Sequence, residues 1–333
     1  MLTSEQIKSR DKVINKVRTG EYVLIPNPCL CKATTSVILA NKDRYDIPVR
    51  TVLCLTCGLV RSDPYYDEKT LSDFYDNEYR LLYTGKELAT ESFFREQEGF
   101  GQYIYDFLAK NIFKDEITNK KIFEVGCGAG GILQTFKNRD NAVFGCDYGK
   151  DYLEFGKNRG LDLITGGSSS LSQFGKADIV ILNHTLEHIP NLQKELDVIR
   201  QLLSPSGILY IALPGIYYIH DTYRGRFVGS YLQNAHVWYF TLKTLNATLA
   251  RSGFQLVAGN EIIMAIYKAG TPNQKTEAEN PNKILAYLKK TKNLTWYYRL
   301  KKFSPRHTAF ETLRRFGPLY RVTRALYRKF KKT

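Results

Sequence analysis

The stretch KIFEVGCGAGGIL, Lys121 to Leu133, runs a short apolar segment into glycines at every second position. Glycine has no Cβ, so such a run turns tightly and lets a ligand lie against bare amides where a helix begins. Asp147 ends the next apolar run, 21 positions after Gly126, a distance that suits a carboxylate reaching ribose hydroxyls. A second group is Cys29, Cys31, Cys54 and Cys57, a C-x-C and a C-x-x-C with 22 residues between them. Four thiolates so spaced can surround one Zn2+ tetrahedrally, and a site with no open position is structural. Four buried, reduced thiols are the alternative reading. The third group is the histidines, His184, His188, His220, His236 and His307, of which His184 and His188 bracket Glu187.

These residues need elements to hold them. From 120 to 268 short apolar runs alternate with helical ones. Strands are expected at KIFEV, NAVFGCD, LDLIT, ADIVILN, GILYIAL and EIIMAIYK, and helices near 131–138, 150–159, 190–203 and 241–252. The alternation predicts βαβ units, hence an α/β Rossmann-like fold with a parallel sheet and helices on both faces. Ahead of it lie a helical pattern over 3–18, a strand-and-turn region over 25–62 that holds the four cysteines, and helical stretches over 67–83 and 91–112. Residues 270–282 have linker composition, and a basic tail follows.

Two nucleotide classes fit the glycine bend, the dinucleotides and S-adenosylmethionine (SAM). Gly131 stands where a dinucleotide fingerprint wants its third glycine, so the glycines leave NAD open. Glu124 favours SAM, because an acid at the strand end attracts the sulfonium and ammonium charges and repels a diphosphate. E-V-G-C-G-A-G, FGCDYGKDYLEFGKNRG and ADIVILNHTLEHIPN, in this order and spacing, resemble the class I SAM-dependent methyltransferases over roughly 120–268. The resemblance implies that Gly126, Cys127 and Gly128 line the methionine part and that Asp147 holds the ribose. It also implies that Tyr148 flanks the adenine, and that Asn183 and His184 close over the cofactor. The third strand runs into GGSSSL without the usual acid, which leaves Ser168 as the adenine contact. An α/β domain whose glycines only permit packing is the alternative.

The stretch DRYDIPVRTVLCLTCGLVRSDPYYDEKTLSDFYDNEYR is similar to the N-terminal zinc-ribbon region of methyltransferases from bacterial surface-glycan pathways. Sugar C-methyltransferases of deoxysugar pathways share the arrangement. That resemblance implies a structural Zn2+ on the four cysteines and brings Tyr75 or Tyr79 to the cofactor, although their helical spacing also suits a core. The organisation expected is therefore a helix and zinc-ribbon-like module (1–66), a helical connector (67–119), a SAM-binding methyltransferase domain (120–269), a linker (270–282) and a basic helical tail (283–333).

Methyl transfer from a sulfonium is an in-line displacement on an activated donor, so the protein aligns the acceptor and excludes water. An acceptor hydroxyl must also lose its proton, and histidine is the natural base near neutral pH. His188 follows the fourth strand at the edge where open α/β sheets bind ligands. His236, in QNAHVWYFT, resembles the histidine of a glutamate-histidine element assigned as the base in sugar methyltransferases, with Ala235 in place of the glutamate. Both are candidates. The preceding segment, 215–234, is rich in tyrosine and holds Arg224 and Arg226, which suits a nucleotide- or lipid-linked sugar acceptor. Exposed loop filler explains it as well.

The net charge of +15 is carried by residues 283–333, where 16 Lys and Arg face the single acid Glu311. Within this tail Leu319, Val322, Leu326 and Phe330 fall near one helical face and arginines on the others. A basic amphipathic helix of this kind reads as an anionic-membrane contact; an RNA-binding arm and a packed helix are the other readings. The polar N-terminus is no secretory signal, and Pro214 and Gly215 break the longest apolar run (208–219), itself short of the about 18 residues that span a membrane. The expectation is a cytoplasmic enzyme, peripheral on the inner face of the membrane, that methylates a sugar hydroxyl in O-antigen- or capsule-type glycan biosynthesis. An RNA methyltransferase using the tail and a non-catalytic SAM-binding scaffold are the alternatives. NHTLEH differs from the N-P-P-Y type of motif used on exocyclic amines, which makes nucleic acid the weaker partner.

Overall fold

A computed structural model of the chain describes residues 2–85, 88–219 and 228–301. The first part runs through α1 (Ser4–Thr19), β1 (Leu24–Ile25), β2 (Ser36–Ala40), β3 (Thr51–Cys54), β4 (Val60–Ser62) and β5 (Tyr65–Tyr66). Helices α2 (Glu68–Asn77), α3 (Tyr79–Thr84) and α4 (Glu91–Leu108) follow. Then comes the alternating part: β6 (Lys121–Val125), α5 (Gly131–Lys137), β7 (Ala142–Asp147), α6 (Lys150–Lys157), β8 (Asp162–Thr165), β9 (Ala177–Asn183), α7 (Leu192–Leu202) and β10 (Leu203–Ala212). The described chain ends with β11 (Trp238–Tyr239), α8 (Leu242–Arg251), β12 (Phe254–Gly259), β13 (Met264–Ala269) and α9 (Pro281–Lys301).

Seven strands form the central sheet in the order β12-β13-β10-β9-β6-β7-β8. Strands β6 to β10 are parallel, and Ile179 to Leu182 of β9 are all buried, as a strand covered on both faces requires. The order reverses between β6 and β9, which opens a crevice at their carboxyl ends. The expected all-parallel sheet is corrected at one edge. The strand expected at 261–268 is β13, antiparallel to β10, and it pairs with a strand not foreseen, β12. At this edge Leu256 and Val257 are exposed, so FQLVAG carries no buried apolar run.

The cysteine region forms a separate antiparallel sheet, β11-β4-β3-β2. Its edge strand comes from far along the chain: Trp238 and Tyr239 pair with Arg61 and Val60. Val237 extends the junction, accepting from Ser62 N at 2.9 Å and donating to the Glu187 carbonyl at 2.8 Å. The loop after β9 and the cysteine sheet thus meet on one short strand. A third apolar cluster, with Leu53, Val60, Ile216, Tyr239 and Ile284, joins this sheet to the start of α9.

Residues 270–282, linker-like by composition, lie against the body. Asn273 N donates to Ala250 O at 2.8 Å, and Glu279 N to Cys57 O at 3.2 Å. His220, Arg224 and Arg226, and the tail beyond 301 with His307 and the amphipathic stretch, lie outside the described residues. Among the described residues no helix is long and apolar enough to cross a membrane.

Candidate active site

The bend after β6 is built on glycines with positive φ: Gly126 (+73°), Gly128 (+56°) and Gly130 (+79°). A Cβ on Gly126 would stand 2.5 Å from Thr185 Oγ1, so the loop after β9 is pressed against the bend. Gln97 of α4 grips the other side, donating to Cys127 O at 3.0 Å and accepting from Gly131 N at 3.2 Å. Asp147, at the end of β7, accepts from Gly128 N at 2.9 Å through Oδ2 and from Gly149 N at 2.7 Å through Oδ1. Arg80 of α3 reaches the same Oδ1 at 3.3 Å and lies over the Tyr152 ring, centroid 3.9 Å away.

Glu124 is fully buried, and its Oε2 has no hydrogen-bond partner among the described residues. Burial, with the Asp147 charge adding to it, pushes its carboxyl well above the usual range. A cationic ligand in the bend would relieve both conditions, so the residues present fit SAM. Cys127 is buried within the bend, and Ser168 is buried where the 168–174 turn begins. Tyr148 is 68% exposed, with its hydroxyl over Gly167. Asn183 ends β9. His184 has a φ of +53°, a half-exposed ring and an amide bonded to Ala212 O at 2.8 Å.

Past His184 a single 3-10 turn, Leu186–His188, carries the second cluster. His188 Nδ1 lies 3.1 Å from the Ala235 carbonyl and 3.0 Å from Tyr75 OH. A carbonyl only accepts, so the proton of the neutral ring sits on Nδ1 and Nε2 carries a lone pair. The buried His236 ring stands 4.8 Å from that of His188, at 87°. Burial lowers the pKa of both histidines, and in His236 the neighbouring His188 adds to the effect. Glu187 is buried as well: burial raises its carboxyl, and His184, with the charge that His188 or His236 carries when protonated, lowers it.

Tyrosines wall this cluster. Tyr75, Tyr79 and Tyr83 of α2 and α3 pack in series with tilted rings, their centroids 4.8 and 5.1 Å apart. The Arg44 guanidinium lies over Tyr45 and Tyr83. Tyr75 and Tyr79, expected near the cofactor, touch the His188 ring, and Arg80 on the same helix touches Asp147. Sequence reasoning missed Arg80, Thr185 and Arg44: each acts through a long-range contact that leaves no local signal. Glu187 does leave one, an acid between two histidines.

The four cysteines converge. Cys29 lies 3.5 Å from Cys57 and 3.4 Å from Cys31, and Cys31 lies 3.6 Å from Cys54. None is in a disulfide. The hydrogen bond from Cys57 draws Cys29 down to about 5, and Cys57 is raised in turn. Gly58 has the left-handed φ of +77° that closes such a turn, and its amide bonds to Cys54 O.

Comparison with known proteins shows what this part of the chain is similar to. A profile described as "Methyltransferase domain" matches residues 95–258. C-methyltransferase NovU of Streptomyces niveus is 23% identical over 41% of this chain and 33% of its own. The ubiquinone biosynthesis O-methyltransferase of Vibrio campbellii is 30% identical over 29% of this chain and 45% of its own. The chain therefore spans a third to under a half of the length of these curated relatives. Among solved structures, magnesium protoporphyrin IX methyltransferase from Synechocystis PCC 6803 with bound SAH superposes with a TM-score of 0.42 at 15% identity, over 61% of this chain and 99% of that one. A SAM-dependent methyltransferase from Clostridium acetobutylicum gives 0.41 at 10% identity, over 60% and 99%. The strand order, the glycine bend braced by Asp147 and the matched profile coincide on residues 95–258, the part of the chain that is similar to a methyltransferase domain on a Rossmann-like sheet.

Proposed function

We propose that the protein transfers the methyl group of SAM to a hydroxyl of a sugar, free on a nucleotide or linked to a lipid, in bacterial surface-glycan synthesis. The observation that carries this reading is that Thr185, pressed against Gly126 of the bend, leads into the turn that carries His188, whose ring meets His236 and the tyrosines of α2 and α3. Tyrosine faces suit sugar rings, and the Arg44 cation over Tyr83 suits an anionic carrier group. The curated relatives named above are a C- and an O-methyltransferase, in keeping with transfer to a small-molecule acceptor.

Bound SAM supplies a methyl already activated by its sulfonium. Glu124, Gly126, Cys127, Gly128 and Asp147 hold it, with Tyr148, Ser168, Asn183 and His184 at its rim. The lone pair on His188 Nε2 and the neutral His236 ring are the groups able to take the acceptor proton, and the partly buried tyrosines limit the access of water. The cysteines hold a structural Zn2+: a tetrahedral ion with bonds of about 2.3 Å sets sulfurs about 3.8 Å apart, close to the spacings found. The basic tail holds the enzyme at an anionic membrane surface.

The test is to incubate the protein with methyl-labelled SAM and, in parallel, nucleotide sugars, extracted lipid-linked glycans and RNA. Label in a sugar fraction, lost with His236→Ala, is expected. Label in RNA alone would replace this reading with the RNA methyltransferase, and SAH binding without label in any fraction would replace it with the scaffold.

A further inference from the structure

We propose that Glu187, His188 and His236 form a binding site for a divalent first-row transition-metal ion, separate from the cysteine cluster. One ligand atom from each lies within 4.8 Å of the others. Glu187 is 1% exposed, and neither carboxylate oxygen has a hydrogen-bond partner among the described residues. His184 Nδ1 stands 3.5 Å from Oε1, out of hydrogen-bond geometry. A buried carboxylate left so poorly satisfied is costly, and an ion bound to it removes the cost.

The histidines are arranged to match. His188 turns Nδ1 onto the Ala235 carbonyl and Tyr75 OH, which orients the ring and leaves Nε2 as a donor; histidines that ligate metals are held in this way. His236 has no hydrogen bond at either ring nitrogen among the described residues, although it is buried. One carboxylate and two neutral imidazoles carry a single negative charge, and this N2O set suits zinc, cobalt, manganese or iron over magnesium or calcium.

A tetrahedral ion with bonds of about 2.0–2.1 Å holds such donors about 3.3 Å apart, so the side chains close in on binding. The site forms only where three elements meet: the turn after β9, the segment before β11, and α2 with Tyr75. Three protein ligands leave a position open, where a hydroxyl would lose its proton more readily; with the ion bound the imidazole lone pairs are taken, so the ion would stand in for the histidine base. That use rests on the methyltransferase reading, whereas the binding itself does not.

The full-length protein and its Glu187→Gln, His188→Gln and His236→Gln variants are dialysed to equilibrium against Co2+, and bound zinc and cobalt are counted by elemental analysis. Variants that still bind SAH in calorimetry should hold one ion fewer per chain than the parent. In parallel, Co2+ added to the parent should raise d–d absorption without thiolate-to-metal charge transfer, a readout that needs no variant. Equal metal content in parent and SAH-competent variants overturns the proposal, as does the absence of those d–d bands. Loss of SAH binding by the parent would overturn the methyltransferase reading and leave the metal count to stand or fall separately.

Discussion

Asp147 Oδ2 accepts the Gly128 amide at 2.9 Å, so the end of β7 braces the bend that follows β6. Its other oxygen takes Gly149 N–H and Arg80, and through Arg80 the helical connector is tied to the crevice. A ribose arriving at this carboxylate competes with Arg80, while the two amides keep the carboxylate aimed.

Asp147→Ala should therefore weaken SAH binding. Hydrogen bonds to a charged group contribute about 1.5–3 kcal/mol, which corresponds to a roughly ten- to hundredfold rise in Kd by calorimetry. Arg80→Ala should change Kd far less, because it removes a competitor together with a tether. Unchanged affinity in Asp147→Ala would remove the carboxylate from the cofactor site.

Gly126→Ala meets two obstacles. A left-handed φ costs a residue with a Cβ about 1–2 kcal/mol, and the new Cβ would stand 2.5 Å from Thr185 Oγ1. The melting temperature should fall by several degrees and SAH binding should weaken. In Gly126→Ala/Thr185→Ala the clash is relieved and the φ strain remains, so thermal melts should recover only part of the loss relative to Thr185→Ala alone.

Much of this was legible because it is local. Each of β6 to β9 is one contiguous apolar run, and the glycines and Asp147 sit at strand ends that the alternation locates. What stayed hidden is long-range or sits at an edge. The β12 strand exposes Leu256 and Val257 and so has no strand-like pattern. Pairing of Trp238 with Arg61 joins positions far apart in sequence, and nothing near either one announces it. The linker composition of 270–282 is real, yet Glu279 is buried against Gly58 at a distance that leaves no room for a Cβ there. The tyrosines at helical spacing in α2 and α3 admitted both a core and a site reading; they are partly buried and touch His188 as well.

Cofactor affinity should depend on pH through Glu124. Burial and the Asp147 charge raise its folded pKa, so in the free protein its contribution to stability is present below the unfolded value and is lost as pH rises through the folded one. A bound cation favours the ionised form, which reverses the preference. Binding of SAM should thus release protons and tighten as pH rises through the Glu124 pKa, and calorimetry in buffers of different ionisation enthalpy reads that release directly. Glu124→Gln should abolish it and weaken SAM more than SAH, since SAM carries the extra sulfonium charge. Proton release that survives Glu124→Gln would assign the linkage elsewhere.

Loss of the cysteine cluster should be felt at His236. Under the proposed structural zinc, Cys57→Ser would remove one of four ligands, and such a site supplies folding energy to its module. The strand β11 pairs with β4, and Val237 bridges Ser62 and Glu187, so unfolding of the module frees the segment that carries His236. Hydrogen exchange should show protection lost at 51–62 and 236–240 together, with β6 to β9 still protected. If 236–240 keeps its protection while 51–62 loses it, the coupling is wrong.

The tail should be separable from the enzyme, but only if it is cut in the right place. Ile284 is fully buried in the cluster with Tyr239, and Tyr287 packs on Tyr217 with ring centroids 5.3 Å apart, so a cut after residue 282 removes core as well as charge. Losing a buried Ile side chain alone costs about 2–5 kcal/mol, and that truncation should melt at a lower temperature. A cut after Lys301 spares these contacts and removes ten of the 16 basic residues counted from 283 onward. Each cation near an anionic leaflet contributes on the order of 1 kcal/mol, screened by salt, so the 1–301 protein should bind anionic vesicles far more weakly than the full chain and melt at the same temperature. Vesicle binding by the full chain should in turn fall as salt rises. If 1–301 binds vesicles as well as the full chain does, the tail is not the membrane contact.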